Sequence, residues 1–281
     1  MQILVTGHEG FIGKNIYKAL EKKGYGVSGY EYTKGTFPDV SCYDWVIHCG
    51  ANSSTSEKNI DLVWEQNYLF TKRIIHECKK HHTHLQYASS ASVYGPYQTF
   101  QEEGPCLPQS PYAWSKFLID KKLKDAGFHS HNIHIQGFRY FNVYGPGEEH
   151  KGGMMSPVSK FTEQAQKLGE ITLFENSDQY LRDFVCVHDV VHIHEQMLQQ
   201  PTSGIFNIGT GVARSFEHIA KLIAKRYHAT IKTIPMPDNL KAHYQSYTCA
   251  DINKLESILG KTTWLSPEEF LQQEMPQTAE I

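Results

Sequence analysis

Gly7, Gly10 and Gly13 follow at three-residue intervals directly after the short apolar run Gln2 to Thr6. They come directly before Ile16, Ala19 and Leu20, which are spaced as one face of a helix. A strand, a glycine turn and a helix in that order constrain the fold more than any other feature of the chain. Such a turn is tight, its backbone can approach a bound group closely, and the first amides of the helix are left free to receive an anion. A dinucleotide pyrophosphate suits this arrangement, with contacts expected at Gly7, Gly10, Phe11, Ile12 and Gly13.

The pattern continues as alternating strands and helices. Strands are predicted at Val27–Tyr30, Trp45–Cys49, Leu85–Ser89 and Ile133–Tyr140. Helices are predicted over 61–80 and over 111–124, the latter with Pro111 at its start. This alternation implies an α/β fold: a doubly wound parallel Rossmann sheet covered on both faces. After Gly147 the rhythm breaks up. A helix over 154–167, a strand at Ile205–Ile208 and an amphipathic helix over 216–227 indicate a smaller C-terminal α/β lobe. The expected division is 1–146 with 182–207 for the dinucleotide-binding domain, and 147–181 with 208–281 for the lobe.

Glu31 ends the second strand about 20 residues after the glycines, where a carboxylate can accept from an adenosine ribose. Lys34 is near enough in sequence to compensate a 2′-phosphate. The choice between NAD and NADP therefore stays open on these residues.

Tyr112 and Lys116 lie four residues apart on the predicted 111–124 helix and so share a face. An ammonium beside a phenol favours the phenolate, so Tyr112 is expected to have a lowered pKa and to serve as a proton shuttle between alcohol and carbonyl. Upstream, Ser89-Ser90-Ala91-Ser92-Val93-Tyr94-Gly95 follows a strand, where a serine hydroxyl can hydrogen-bond a reacting oxygen.

Together these elements resemble the extended short-chain dehydrogenase/reductases. The likeness extends through Asp44–Ala51, Asn67, Phe138–Pro146, Arg182–Val190 and Phe206–Gly211, nearly the whole chain. The resemblance implies a bound NADP or NAD and a nucleotide-sugar substrate. It places the reaction on Ser90, Tyr112 and Lys116, with Ser89 or Ser92 as alternative hydroxyls. It places Asn67, Tyr112 and Lys116 at the cofactor site and Ser90, Asn142, Arg182 and Tyr244 at the substrate site, with the nucleotide sugar held by the C-terminal lobe. His150-Lys151-Gly152 is similar to the His-Lys-Gly segment of ADP-heptose 6-epimerases, in which the lysine is a second acid/base group. The resemblance thus implies epimerisation at C6 of ADP-glycero-manno-heptose, using Tyr112 and Lys151, with His150 and Lys151 contacting substrate. Lys151 as a phosphate contact, a 4-epimerase or reductase of another nucleotide sugar, and a non-catalytic NAD(P)-binding protein are the competing readings. A homo-oligomer is also implied.

The sequence departs from that family in three places. Only twelve residues separate Glu31 from Asp44, too few for the usual additional strand and helix, so one edge element of the sheet is expected to be missing. His8 and Glu9 occupy the glycine turn where small residues are usual, and Glu9 must point away from a pyrophosphate. His243 stands where the epimerase subfamily usually has arginine.

Several classes are disfavoured. A net charge of −3 does not suit a nucleic-acid or membrane-surface partner. No apolar run approaches the length of a membrane span, and the first residues lack a basic region and cleavage site, so a cytoplasmic location is expected. Six scattered cysteines with no Cys-x-x-Cys read as reduced thiols. No metal is expected at His81-His82-x-His84 or at His188, His192 and His194, because no cysteine or carboxylate cluster completes either set.

Overall fold

A computed structural model describes residues 1–50, 52–54, 57–128, 132–237 and 245–273. Six parallel strands form the main sheet in the order β2-β1-β3-β4-β5-β9. They are β1 (Gln2–Thr6), β2 (Gly26–Tyr30), β3 (Trp45–His48), β4 (His84–Ser90), β5 (Ile135–Tyr140) and β9 (Gly204–Ile208). Side chains alternate across β1. Leu4 faces one side and packs with Val46, Leu85, Ile74 and Ile119. Ile3 and Val5 face the other and pack with Ile16, Leu20, Ile47 and Leu198. A sheet buried on both faces produces the nearly continuous apolar runs seen in the sequence.

On the first side lie α2 (Ile60–Val63), α3 (Phe70–His81) and α4 (Pro111–Ala126). On the other lie α1 (Phe11–Lys22) and α6 (Val187–Leu198). Between α2 and α3 the chain forms a π-helical segment, Trp64–Leu69, inside what the sequence presents as one helix. Between Tyr30 and Trp45 there is no strand or helix. A turn at Thr33–Thr36 fills the span, and Tyr32 and Phe37 pack edge-on against Phe70. β2 is therefore the edge of the sheet, and the element expected to be missing is missing.

The second lobe is built from β6 (Asn142–Tyr144), α5 (Pro157–Leu168), β7 (Glu170–Phe174), β8 (Leu181–Cys186), β10 (Ala213–Ser215), α7 (Phe216–Tyr227) and β11 (Thr230–Ile234). Its strands form two small sheets, β10-β8-β6 and β11-β7. Phe161, Ile171, Leu173, Phe184 and Ile219 belong to its core. Two further helices follow, α8 (Asn253–Leu259) and α9 (Pro267–Gln273). α8 sends Leu255 into the core beneath β9, and α9 sends Phe270 into the lobe. No helix among the described residues is long and apolar enough to cross a membrane. No group of three or more His, Cys, Asp or Glu among them could hold a metal ion.

Candidate active site

Strand order reverses between β1 and β3, and the crevice at their carboxyl ends is where an open α/β sheet receives ligands. The glycine turn lies there. Gly7 has φ +72°, and a Cβ on it would stand 2.5 Å from the Gly50 Cα. A Cβ on Gly13 would stand 2.1 Å from the Gly7 carbonyl oxygen. No side chain caps α1, whose N-cap is Gly10, so its first amides remain available. These features fit a pyrophosphate. A cavity of about 350 Å³ opens over them, lined by Gly7 and Gly10 to Gly13 together with Glu31, Tyr32, Cys49, Gly50, Ser53, Gln66, His150 and Lys151.

Glu31 closes the edge of this cavity. Its Oε1 accepts the Glu9 N–H at 2.7 Å and lies 3.2 Å from His8 Nδ1. The Glu9 side chain itself is exposed. Lys34 is exposed on the 33–36 turn, outside the cavity lining.

The end of β4 and the head of α4 bring together Ser90, Tyr112 and Lys116. The Ser90 hydroxyl lies beside that of Tyr112, and its Oγ is 2.8 Å from the Ser92 hydroxyl. Ser89 is committed elsewhere, donating at 2.9 Å to Asp120. Lys116 is buried and donates to the Ala88 carbonyl at 2.8 Å, with its amine 5.9 Å from the centre of the Tyr112 ring. Burial lowers the Lys116 pKa to about 8, against the fields of Cys49 and Asp120. The expected depression of the Tyr112 pKa is not observed. Burial raises it, and the neighbouring Ser90 hydroxyl only partly offsets that. The amine points at the carbonyl on β4 and not at the phenol oxygen, so the four-residue spacing brings the two groups to one face without pairing them.

Asp120, one turn beyond Lys116 on α4, receives Tyr87, Ser89 and the Nε of buried Arg139, each at 2.8 to 2.9 Å. This network joins α4 to β4 and β5 and fixes the face that carries Tyr112 and Lys116.

Lys151 lies in a 3₁₀ turn, Glu149–Met154, and its side chain is 24% exposed. Its amine is 3.4 Å from Glu148 Oε2 and 5.0 Å from the centre of the Phe11 ring. Glu148 is buried. It accepts from the amides of Gly145 and Ser156 and from the hydroxyls of Ser156 and Ser159. The amine thus faces the cavity beside the start of α1, not the outer surface.

Residues 3–209 match the NAD dependent epimerase/dehydratase family. The chain belongs to that family. Among solved structures, ADP-L-glycero-D-manno-heptose-6-epimerase from Helicobacter pylori is 25% identical, with a TM-score of 0.84 over 96% of this chain and 94% of its own. Thermus thermophilus UDP-glucose 4-epimerase, crystallised with NAD, is 26% identical, with a TM-score of 0.75 over 92% of each chain. UDP-glucose 4-epimerase from Thermotoga maritima, crystallised with UDP-glucose, shares the fold at 24% identity and a TM-score of 0.82, over 97% of this chain and 96% of its own.

The remaining expected residues are distributed as follows. Asn67, within the π-helical segment, accepts the Asn52 N–H at 2.7 Å and donates to the Asn52 carbonyl and to Ser115 Oγ. It braces the loop after β3 that borders the cavity. Asn142 opens β6, opposite Phe184 of β8. His150 is exposed at the cavity rim. Arg182 is buried, donates to the carbonyls of Leu181 and Gln245, and stacks 5.3 Å from the centre of the Phe216 ring. Tyr244 and His243 lie outside the described residues. A second cavity of about 250 Å³ begins at Gly153, just past the Lys151 turn, and runs between α5 and β7 to Phe216.

Several residues of the site were not anticipated, Ser53 of the cavity lining among them. Glu148 stands beside Lys151, and its position one turn before that lysine was the available signal. Cys49 and Gln66 line the cofactor cavity. Tyr32 does so too, with its hydroxyl held by Glu65 at 2.7 Å. Gln66 comes into play because the π turn shifts the helical register, which periodicity does not reveal.

Proposed function

We propose that this protein epimerises a nucleoside diphosphate sugar by transient oxidation, and that the sugar is ADP-glycero-manno-heptose, inverted at C6. The observation that carries this reading is Lys151, a second amine facing the cofactor cavity apart from the Ser90–Tyr112–Lys116 group and held by a buried carboxylate.

Bound NAD would take a hydride from the carbinol carbon and return it to the opposite face of the resulting carbonyl. The glycine turn and the α1 amides hold its pyrophosphate, and Glu31 accepts from the adenosine ribose, which favours NAD over NADP. Each half-reaction also moves one proton: off the hydroxyl during oxidation, back onto the oxygen during reduction. Rotating an exocyclic aldehyde about a single bond carries the oxygen to a new place, so two proton-carrying groups serve better than one. Tyr112, beside Ser90, exchanges the proton at one position, and Lys151 exchanges it at the other. Lys116 holds the head of α4 against β4 through the Ala88 carbonyl. Arg182 and the cavity beyond Gly153 are suited to the nucleotide part of the substrate. Ala91 and Ser92 follow Ser90, so no acidic pair stands there to support dehydration.

One observation favours a second role for Lys151. Its amine is 5.0 Å from the ring of Phe11, the first residue of α1, a place suited to contacting the cofactor pyrophosphate. The two roles separate in one experiment. The NAD-loaded protein is incubated with ADP-D-glycero-D-manno-heptose, and the L-glycero isomer is followed by NMR. Lys151→Met should abolish conversion while leaving the Kd for NAD unchanged. Lost affinity for NAD with residual turnover supports the phosphate role. No conversion by the unaltered, NAD-loaded protein overturns this choice of sugar.

A further inference from the structure

Gly29 of β2 has no side chain, and the His8 ring occupies the space a side chain would take. A Cβ on Gly29 would stand 2.1 Å from His8 Cδ2 and 2.4 Å from Cγ and Nε2. Seated there, with the Tyr17 ring 5.5 Å away, the imidazole brings Nδ1 to 3.2 Å from Glu31 Oε1. That nitrogen is buried, and its approach to Glu31 is a close contact without hydrogen-bond geometry, the ring being held against the carboxylate by its seat at Gly29. The same Oε1 takes the Glu9 N–H at 2.7 Å. Glu31 is thus tied through one oxygen to the glycine turn, leaving Oε2 as the carboxylate oxygen with no tie to that turn.

We propose that His8, seated in the notch left by Gly29, fixes the Glu31 carboxylate and thereby sets the preference for NAD over NADP. The inference rests on the reading of Glu31 as the acceptor of the adenosine ribose. A carboxylate held in one position accepts from a ribose diol without losing side-chain freedom on binding, and it stands where the 2′-phosphate of NADP would bring like charge. A mobile carboxylate swings into solvent, binds the diol less well and repels the phosphate less. It also explains why an imidazole stands in a glycine turn where small residues are usual: the ring turns out of the pyrophosphate path and into the sheet edge.

The test measures Kd for NAD and for NADP by isothermal titration of cofactor-free protein, comparing the unaltered chain with His8→Ala, Gly29→Ala, His8→Ala/Gly29→Ala and Glu31→Gln. Glu31→Gln should weaken NAD about tenfold or more, the size expected for losing a hydrogen bond to a charged group, and should narrow the NAD/NADP ratio. His8→Ala and Gly29→Ala should each weaken NAD by about three- to tenfold and narrow the ratio in the same direction. The double variant should be no worse than His8→Ala, since removing the ring makes room for the Cβ. A general loosening of the turn would weaken both cofactors by one factor, leaving the ratio unchanged, and that result overturns the proposal. Unaltered NAD affinity and ratio in His8→Ala and Gly29→Ala, with a loss in Glu31→Gln, overturns the role of His8 alone. No loss in Glu31→Gln overturns the ribose reading and this inference with it.

Discussion

Glu148 Oε2 lies 3.4 Å from the Lys151 amine and also accepts the Ser156 N–H, while Oε1 accepts from the Gly145 amide and the hydroxyls of Ser156 and Ser159. The lysine is therefore oriented by a group that is itself immobile. Glu148→Ala strands those buried donors, which costs about 1–3 kcal/mol each where water does not replace the acceptor. The variant should lose turnover by about 10-fold or more through misplaced Lys151. It should also unfold at lower urea, as read by steady-state assay and a denaturation curve. Normal kcat in a folded Glu148→Ala protein would remove the carboxylate from the account.

Tyr112→Phe deletes one hydroxyl, the one beside Ser90. Proton transfer by a positioned side chain contributes about 10²–10⁴-fold. Turnover should fall by that factor while the Kd for NAD holds, which stopped-flow kinetics and titration measure separately. Because burial raises the Tyr112 pKa in the cofactor-free protein, placing the cationic nicotinamide ring of NAD⁺ beside it should shift the tyrosine titration downward, visible in the near-ultraviolet difference spectrum.

Acid should loosen the fold through His194. Its ring bridges the Tyr140 hydroxyl at 2.6 Å and Gln86 Oε1 at 2.7 Å, and burial depresses its pKa from 6.5 to about 3. The folded state keeps it neutral while the unfolded chain protonates it below 6.5. The stabilisation is complete above pH 6.5 and is lost as pH falls toward 3, at about 1.4 kcal/mol per pH unit. His48, between Thr6 and Thr71, behaves alike. Asp189, raised to about 6 by burial, acts in the opposite sense between its ordinary 3.8 and 6. The clean observable is thus a difference. His194→Gln should flatten the dependence of unfolding free energy on pH between 4 and 6 by the slope of one proton, and an unchanged slope would contradict the assignment.

The parts of this molecule governed by short-range rules were readable from the sequence. The strand, glycine turn and helix at 2–22, the shared face of Tyr112 and Lys116, and the missing edge element between Glu31 and Asp44 all follow from spacing and chain length. What escaped depends on contacts distant in sequence or on altered backbone register. Periodicity joins Asp61 to Lys80 as one helix and does not reveal the π turn that brings Gln66 to the cavity. Asn67 braces Asn52 because β3 and the helix meet in space, fifteen residues apart in the chain. The spacing of Tyr112 and Lys116 foretold proximity correctly, yet Lys116 donates to Ala88 on a strand that local spacing does not register. β6 and β8 pair in a small sheet of their own, a pairing that local spacing does not register.

Hydride removal and return at a single carbon is the claim on which the mechanism stands, and isotope retention tests it most directly. ADP-D-glycero-D-manno-heptose carrying deuterium at C6 would be converted in ordinary water and the product examined by NMR and mass spectrometry. Transient oxidation by a cofactor that stays bound predicts an L-glycero product with the deuterium still on C6. Loss of the label to solvent would mean that the carbon was inverted by proton abstraction, contradicting the account.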